Sequence, residues 1–165
     1  MKLYFMRHGI AEYGVGVSDH DRRLTQRGIQ RIETAGRVLK MTGINPAHIY
    51  SSPRIRAKQT AEIVAQALGM TVELRDEVNF DFDSQAVEAL ITGLADEAEV
   101  MFVGHEPSMS TTLGEITGGV VIMKKGSLAR VDLVRRNPVR GILVWLIAPR
   151  IFNAMLDSDD IEDEE

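Results

Sequence analysis

The sequence predicts an α/β fold, namely a three-layer sandwich whose largely parallel central sheet is flanked by helices. Short apolar segments alternate with longer segments in which apolar residues recur at helical spacing, and this order is typical of parallel strands joined by crossover helices. With 165 residues, of which 44% are hydrophobic, the chain can bury one substantial core but is too short for two ordinary domains. We therefore expect a single domain spanning residues 1–155.

The first two strands and the helix between them each have a local signal. Lys2–Met6 is apolar and aromatic, as a buried strand requires. Thr25 is suited to cap a helix that runs to about Met41, because its hydroxyl can accept a hydrogen bond from a free N–H of the first turn. A second, short strand is expected at Ile49–Tyr50.

A proline and a glycine bound the second predicted helix. Pro53 favours a helix start because its missing N–H would have no partner in the first turn. The helix is expected from about Arg54 to Leu68, where Gly69 ends it. A third strand follows at Val72–Leu74.

The second half of the chain continues the alternation and closes with a hairpin. The predicted segments are a helix over Ser84–Leu94 with Ser84 as its cap, a strand over Glu99–Val103, a helix beginning at Pro107, and hairpin strands over Ser127–Val134 and Gly141–Ile147.

Charge is distributed unevenly along the chain. The net charge is −5, but seven of the 24 acidic residues fall within the last ten positions, which hold none of the 19 basic residues. Residues 156–165 are expected to form a disordered acidic tail, because a like-charged segment with little apolar surface cannot order itself. The mildly basic remainder suits a phosphorylated substrate. It has no basic stripe with interleaved aromatic residues, so we expect no nucleic-acid partner.

Cysteine and long apolar segments are absent from the sequence. Without cysteine there can be no disulfide, thiolate metal site or cysteine nucleophile. The N-terminal apolar run is too short for a signal peptide or a transmembrane span, so we expect a cytoplasmic protein with no membrane partner.

Three polar motifs lie where predicted strands end. They read Arg7-His8-Gly9, then Ser52-Pro53-Arg54-Ile55-Arg56-Ala57-Lys58-Gln59-Thr60, and then Val103-Gly104-His105-Glu106-Pro107. Because ligands bind beyond the carboxyl ends of strands in such sheets, we expect His8 and His105 to lie close together despite their separation in sequence.

These motifs resemble the RHG, SPxxRAxxT and VGHxP elements of the histidine phosphatase superfamily, in the same order, and the similarity spans most of residues 1–150. The short chain is most similar to the SixA-type phosphohistidine phosphatases of that superfamily. The resemblance implies a phosphoglycerate mutase-like fold and a phosphatase with no metal and no other cofactor. It also implies that His8 is a nucleophile that carries the phosphoryl group transiently, and that Arg7, Arg56 and His105 bind the phosphoryl oxygens.

The residue types suit phosphoryl transfer. Arginine stays charged, and its planar fork can bind two phosphoryl oxygens at once. Imidazole, with an ordinary pKa of about 6.5, is largely neutral at pH 7, so His8 can attack phosphorus if its other ring nitrogen is held by a backbone acceptor. On a helix Arg54 and Arg56 would be about 200° apart, so we expect Arg54 to point away from the phosphate.

The sequence leaves the general acid open. Glu77 is the first choice, Asp76 is the alternative, and a third possibility is that both carboxylates only solvate a loop. His20-Asp21 matches the dipeptide of metal-dependent hydrolases, but no second histidine or acid falls at a matching spacing, so we expect a polar loop there.

The expected substrate follows from the short segment before the third motif. Only about 27 residues separate Glu77 from His105, which leaves no room for a lid domain. An open site favours a histidine-phosphorylated domain of a partner protein. A small phosphate ester such as a sugar phosphate is the enzymatic alternative, and a non-catalytic phosphate-binding protein of the same fold is the other.

Overall fold

The structure is a computed structural model that describes residues 1–159, with side chains described as far as Leu156. Its strands are β1 Lys2–Arg7, β2 His48–Ser51, β3 Val72–Leu74, β4 Glu99–Gly104, β5 Leu128–Arg136 and β6 Val139–Ile147. Its helices are α1 Gln26–Met41, α2 Ile55–Leu68, α3 Ser84–Ile91, α4 Ser108–Thr117 and α5 Pro149–Asp159, and a single 3₁₀ turn lies at Asp76–Val78. No helix within residues 1–159 has the length and apolar composition needed to cross a bilayer.

The strands form one sheet in the order β3-β2-β4-β1-β5-β6. The first four strands in the chain are parallel to one another, and β5 and β6 add an antiparallel hairpin beside β1. The predicted largely parallel α/β sheet with a closing hairpin is thus confirmed.

Each face of the sheet is covered by helices, because successive side chains of a strand point to opposite faces. On one face Leu3 and Phe5 of β1 pack with apolar residues of α3 and α4. On the other face Tyr4 and Met6 pack with apolar residues of α1, α2 and α5. These are the three layers that the sequence predicts.

Helix caps agree with the prediction at α1 and differ from it at α3. The Thr25 hydroxyl accepts a hydrogen bond from the Gly28 N–H at 3.0 Å, as expected. At α3 the predicted cap Ser84 is wrong, since the Asp83 carboxylate accepts from the Ala86 N–H at 2.8 Å. This helix also ends at Ile91, before the predicted Leu94, because Thr92 has extended backbone angles.

The sequence does not predict helix α5. The Phe152 side chain of α5 is fully buried in the same apolar cluster as Tyr4 of β1 and Ile32 of α1. Tertiary packing therefore stabilises this helix. The boundary expected at residue 155 falls inside α5. Residues 160–165 lie outside the described part of the chain, so the disorder of the acidic tail stays a prediction.

Candidate active site

Predicted site residues converge beyond the carboxyl ends of β1, β2 and β4. His8 follows β1, His105 follows β4, and Arg56 lies in the first turn of α2. The register that pairs Arg7 with Gly104 places both histidines at one edge of the sheet, with ring centroids 5.2 Å apart. The exposed fractions of His8, Arg56 and His105 are 7%, 3% and 1%. The cluster is therefore largely shielded from water.

Backbone contacts fix the tautomer of His8. Its Nδ1 lies 2.7 Å from the Gly9 carbonyl oxygen, and because a carbonyl can only accept, Nδ1 carries the ring proton and donates it. Nε2 therefore keeps its lone pair, and Arg56 Nε donates to it at 3.3 Å. The Gly9 N–H donates in turn to Thr60 Oγ1 at 3.1 Å. The backbone acceptor required for a nucleophilic histidine is thus present.

Burial keeps both active-site histidines neutral. Desolvation lowers the pKa of His8 to about 3; the Gly9 carbonyl opposes this shift, and the charge of Arg56 adds to it. Desolvation likewise lowers the pKa of His105 to about 3, with His8 and Arg56 as smaller causes. His8 is therefore an unprotonated nucleophile well below pH 6, which its ordinary pKa alone would not give.

We predict that this shift makes stability depend on pH. An unfolded histidine takes up a proton near pH 6.5, whereas folded His8 stays neutral, so the unfolded state binds more protons between about pH 3 and 6.5. The contribution to stability is present above pH 6.5 and is lost as the pH falls. Urea unfolding between pH 5 and 7 should show a free energy that rises with pH in the wild type and rises less steeply in His8→Ala.

The exposed and uncharged Gln30 of α1 supplies the control for this measurement. Gln30→Ala, which removes an uncharged exposed side chain, should keep the wild-type pH slope. An equal slope in His8→Ala and the wild type would contradict the assigned pKa shift.

Arg56 is held from two sides. While its Nε faces His8, its Nη1 donates to the Asp19 carbonyl oxygen at 2.7 Å and its Nη2 to the Asp19 carboxylate at 3.2 Å. Slight burial raises the pKa of the Asp19 carboxyl, but three neighbouring arginines outweigh this effect and bring that pKa below its usual value. Asp19 is thus an anion that holds the Arg56 guanidinium so that its Nε faces the nucleophile.

Arg54 and Arg56 do not diverge as the helical spacing predicts, because both side chains reach Asp19, while the expectation that Arg54 points away from the phosphate stays a prediction. Arg54 Nη1 donates to the same Asp19 carboxylate at 2.8 Å, and its Nε donates to Asn79 Oδ1 at 2.8 Å. Arg54 is the N-cap of α2 with extended backbone angles, φ −63° and ψ 133°, so the angular spacing of a helix does not apply to it. Both guanidinium groups therefore contact the same carboxylate beside the cluster.

Arg7 reaches the site from the end of β1. Its Nη1 donates to the Met123 carbonyl oxygen at 2.9 Å, while its Nε is buried with no hydrogen-bond partner among the described residues. Burial lowers the pKa of Arg7, and the charge of Glu106 opposes that shift. A buried guanidinium N–H without a partner is suited to donate to a bound anion.

His105 is anchored by Ser52 of the second motif. One ring nitrogen, Nε2, lies 2.8 Å from Ser52 Oγ, and the other, Nδ1, is buried with no partner in the described part of the chain. The Phe80 ring covers His105 at a centroid distance of 4.8 Å and lies 4.1 Å below the Arg54 guanidinium. Nδ1 is thus the ring atom of His105 that a phosphoryl oxygen could engage.

Comparison with known proteins agrees with this geometry. The family model of the histidine phosphatase superfamily (branch 1) matches residues 3–83. The phosphohistidine phosphatase SixA of Escherichia coli strain K12 is 29% identical over 155 residues, which are 90% of this chain and 94% of SixA. A structure of the protein histidine phosphatase SixA complexed with tungstate superposes with a TM-score of 0.82 at 27% identity, covering 92% of this chain and 99% of that one.

This chain belongs to the histidine phosphatase superfamily.

The fold is that of the phosphoglycerate mutase-like histidine phosphatases, the chain is similar to SixA within this superfamily, and it is a phosphatase. A mycobacterial glucosyl-3-phosphoglycerate phosphatase superposes with a TM-score of 0.71, covering 89% of this chain and 99% of that one. Its 18% identity shows a common fold and no more.

Glu77 and Asp76 form no hydrogen bond with the cluster of this histidine phosphatase within the described residues. Both lie in the exposed 3₁₀ turn after β3, and neither carboxylate forms a hydrogen bond or ion pair with a side chain of residues 1–156. Val78 of the same turn is buried, and its carbonyl oxygen would lie 3.0 Å from a Cβ at Gly104. The roles suggested for Glu77 and Asp76 stay predictions.

Sequence reasoning missed two residues of this histidine phosphatase site. Asp19 lies in the loop between β1 and α1 and meets Arg56, which is 37 positions away. Phe80 follows the 3₁₀ turn and stacks on Arg54. Neither position has a periodic or capping signal. The only hint in the sequence is the polar Ser18-Asp19-His20-Asp21 run in an otherwise unassigned loop.

Proposed function

We propose that this histidine phosphatase hydrolyses phosphohistidine on a protein partner through a phosphohistidine intermediate on His8. The observation that carries the proposal is the fixed tautomer of His8, whose Nδ1 donates to the Gly9 carbonyl and whose unprotonated Nε2 faces Arg56. The similarity to SixA over almost the whole of both chains supports phosphohistidine as the substrate class.

In the first step, His8 Nε2 attacks phosphorus in line with the bond to the leaving group. A new N–P bond forms on His8 as the old bond breaks, and the electron pair of the old bond goes to the leaving atom. Charge on the phosphoryl oxygens is stabilised by the guanidinium groups of Arg7 and Arg56 and by a ring nitrogen of His105. The Nδ1 proton stays on His8, and the Gly9 carbonyl stabilises the imidazolium that results.

In the second step, water attacks the phosphorus of phosphorylated His8. The N–P bond breaks, its electron pair returns to Nε2, and both protons of the water leave with the product as dihydrogen phosphate. His8 is then neutral again with its proton on Nδ1, which is the state that its lowered pKa favours. The enzyme returns to its starting form without a net change.

The leaving group separates phosphohistidine from an ester. Transfer from an N-protonated phosphohistidine to His8 exchanges one N–P bond for another and releases a neutral imidazole, so no proton is needed from the enzyme. An alkyl ester instead releases an alkoxide, which must receive a proton. The hydrogen-bond partners of the His8 side chain among the described residues are a backbone carbonyl and a guanidinium, with no carboxylate among them. This environment favours phosphohistidine over an alkyl phosphate.

The surroundings of the site favour a protein as the bearer of the phosphohistidine. Two loops touch the site, one through Asp19 and the other through Met123. Both loops present exposed apolar side chains, and the most exposed are Tyr13 at 98% and Val120 at 99%. Exposed apolar residues on the loops beside the site are suited to contact a partner surface.

The test is a comparison of kcat/KM for a histidine-phosphorylated protein, an aryl phosphate and a sugar phosphate. We expect the first two to be hydrolysed efficiently and the sugar phosphate at least about tenfold less so, because its alkoxide needs a proton. Glu77→Gln should slow the sugar phosphate more than the phosphohistidine protein if Glu77 supplies that proton. A wild-type preference for the sugar phosphate would overturn the substrate class and leave the role of His8 standing.

A further inference from the structure

A basic groove adjoins the active site on the side of Arg7. It has a volume of about 840 Å³ and is lined by Arg7, Ile10, Arg31, Lys124, Lys125, Ala148, Pro149 and Arg150. Five of these eight residues carry a positive charge and none carries a negative one. We call this feature the basic groove.

Four of its cations are available to a partner. Lys124, Lys125 and Arg150 are exposed, and Arg31 is half-buried. None of the four side chains forms a hydrogen bond or ion pair with a side chain of residues 1–156. This contrasts with Arg22, Arg54 and Arg56 on the other side of the site, all of which bind the Asp19 carboxylate. The groove therefore has a positive potential that the side chains of residues 1–156 do not neutralise.

The groove is continuous with the catalytic cluster. Arg7 belongs to both, and the charge of Lys125 is one of the influences that lower the pKa of His8. The Gly126 N–H donates to the carbonyl oxygens of Arg7 and His8, each at 3.0 Å, which holds the segment with Lys124 and Lys125 against the nucleophile. Anything bound in the groove thus lies beside the phosphoryl group being transferred.

The number and spread of these cations exceed what a phosphoryl group needs. Arg7, Arg56 and His105 already supply donors to one phosphoryl group. The additional cations come from α1, from the turn before β5 and from the start of α5, and three of them are long, solvated side chains. Such a distribution suits several dispersed carboxylates and steers an acidic surface by long-range attraction.

We propose that the basic groove docks an acidic surface of the phosphorylated protein, formed by Asp and Glu side chains beside its phosphohistidine. This inference rests on the proposed function. Occupation of the groove orients the partner so that its phosphohistidine enters beside Arg7, and it discriminates against histidine-phosphorylated proteins that lack acidic neighbours. The groove is therefore a specificity site next to the phosphate site.

The test uses a double variant, Arg31→Ser with Arg150→Ser, which removes two groove charges without touching Arg7 or Lys125. Its matched control is Arg37→Ser with Arg135→Ser, which changes the net charge equally at exposed positions outside the groove. The substrates are an acidic protein phosphorylated on histidine with phosphoramidate, the same protein with the neighbouring Asp and Glu changed to Asn and Gln, and an aryl phosphate.

We expect the groove variant to lower the ratio of kcat/KM for the acidic phosphoprotein to kcat/KM for the aryl phosphate by about tenfold at low salt. The control variant should keep the wild-type ratio. In the wild type, the phosphoprotein with Asn and Gln in place of Asp and Glu should have a lower kcat/KM than the acidic phosphoprotein. Its kcat/KM should be the same in the groove variant and the control variant. The tenfold effect should shrink as ionic strength rises, because salt screens exposed charges.

Several results would overturn the inference. If the groove variant kept the wild-type ratio of kcat/KM values, the groove would have no part in recognising the phosphoprotein. If the variant lost kcat/KM equally on a small ester that carries a second phosphate, the groove would be a phosphate subsite instead. A third result concerns deletion of residues 160–165: if this deletion raised phosphoprotein turnover and abolished the effect of the groove variant, the occupant would be the chain's own acidic tail. A wild-type enzyme that hydrolyses the aryl phosphate but no phosphohistidine protein would instead refute the proposed function, and this inference with it.

Discussion

Replacing His8 with alanine is expected to abolish turnover of every substrate, with a loss of at least about a thousandfold in kcat/KM. The methyl group offers no lone pair to phosphorus, and the remaining groups can only stabilise charge on a phosphoryl group that nothing attacks. The measurement is kcat/KM for an aryl phosphate and for a phosphohistidine protein in the wild type and His8→Ala. His48→Ala removes a histidine at the far end of β2 and should keep the wild-type rate.

A trapping experiment makes the same test independent of rate. Brief incubation of the wild type with labelled phosphohistidine protein, followed by alkaline quenching, should leave label on His8. The quench is alkaline because the N–P bond of phosphohistidine, a phosphoramidate, is stable in base and hydrolysed in acid. His8→Ala should carry none. Label on another residue, or wild-type rates in His8→Ala, would refute the mechanism.

Replacing Arg56 with alanine is expected to lower kcat/KM by about a hundred- to a thousandfold, and by a similar factor for all phosphoryl substrates. Arg56 is placed to stabilise phosphoryl charge, which every substrate shares, and its Nε is the group that faces His8 Nε2. Arg56→Lys should recover only part of the loss, since it keeps the charge but loses the planar fork. Rates are to be compared with those of Arg37→Ala, which removes an exposed arginine of α1.

The buried position of Arg56 requires a second readout. Its Nη1 donates to the Asp19 carbonyl and thereby holds the loop after β1, so a folding defect must be separated from a catalytic one. A melting temperature close to that of the wild type, with the rate loss above, assigns the effect to catalysis. A loss on the phosphohistidine protein alone, with aryl phosphate turnover intact, would contradict the role in charge stabilisation.

Much of the fold is predictable because its signals are periodic or local. The alternation of apolar segments, helical spacing and caps such as Thr25 predict the strands and the first two helices. The convergence of His8 and His105 follows from a general property of parallel sheets, namely that their carboxyl ends share one edge. These inferences need no knowledge of which side chains touch.

What the sequence does not predict depends on contacts between distant segments. The helical spacing expected between Arg54 and Arg56 fails because the backbone of Arg54 is extended, which only the observed start of α2 reveals. Asp19 meets Arg56 through a loop whose course has no periodic signal. Helix α5 is stabilised because Phe152 is buried against α1. The sequence does not predict this helix, because the acidic residues that follow Phe152 dominate the local composition.

The pairing of β1 with β4 also bears on when the enzyme becomes active as it folds. The two strands pair residues that are 97 positions apart. The Gly126 N–H, which donates to the carbonyl oxygens of Arg7 and His8, comes still later in the chain. Such long-range pairings form more slowly than local helices, because a large loop must close before any contact is gained. A chain synthesised only as far as β4 is therefore expected to be inactive, and recovery of turnover after dilution from urea should report on closure of the centre of the sheet.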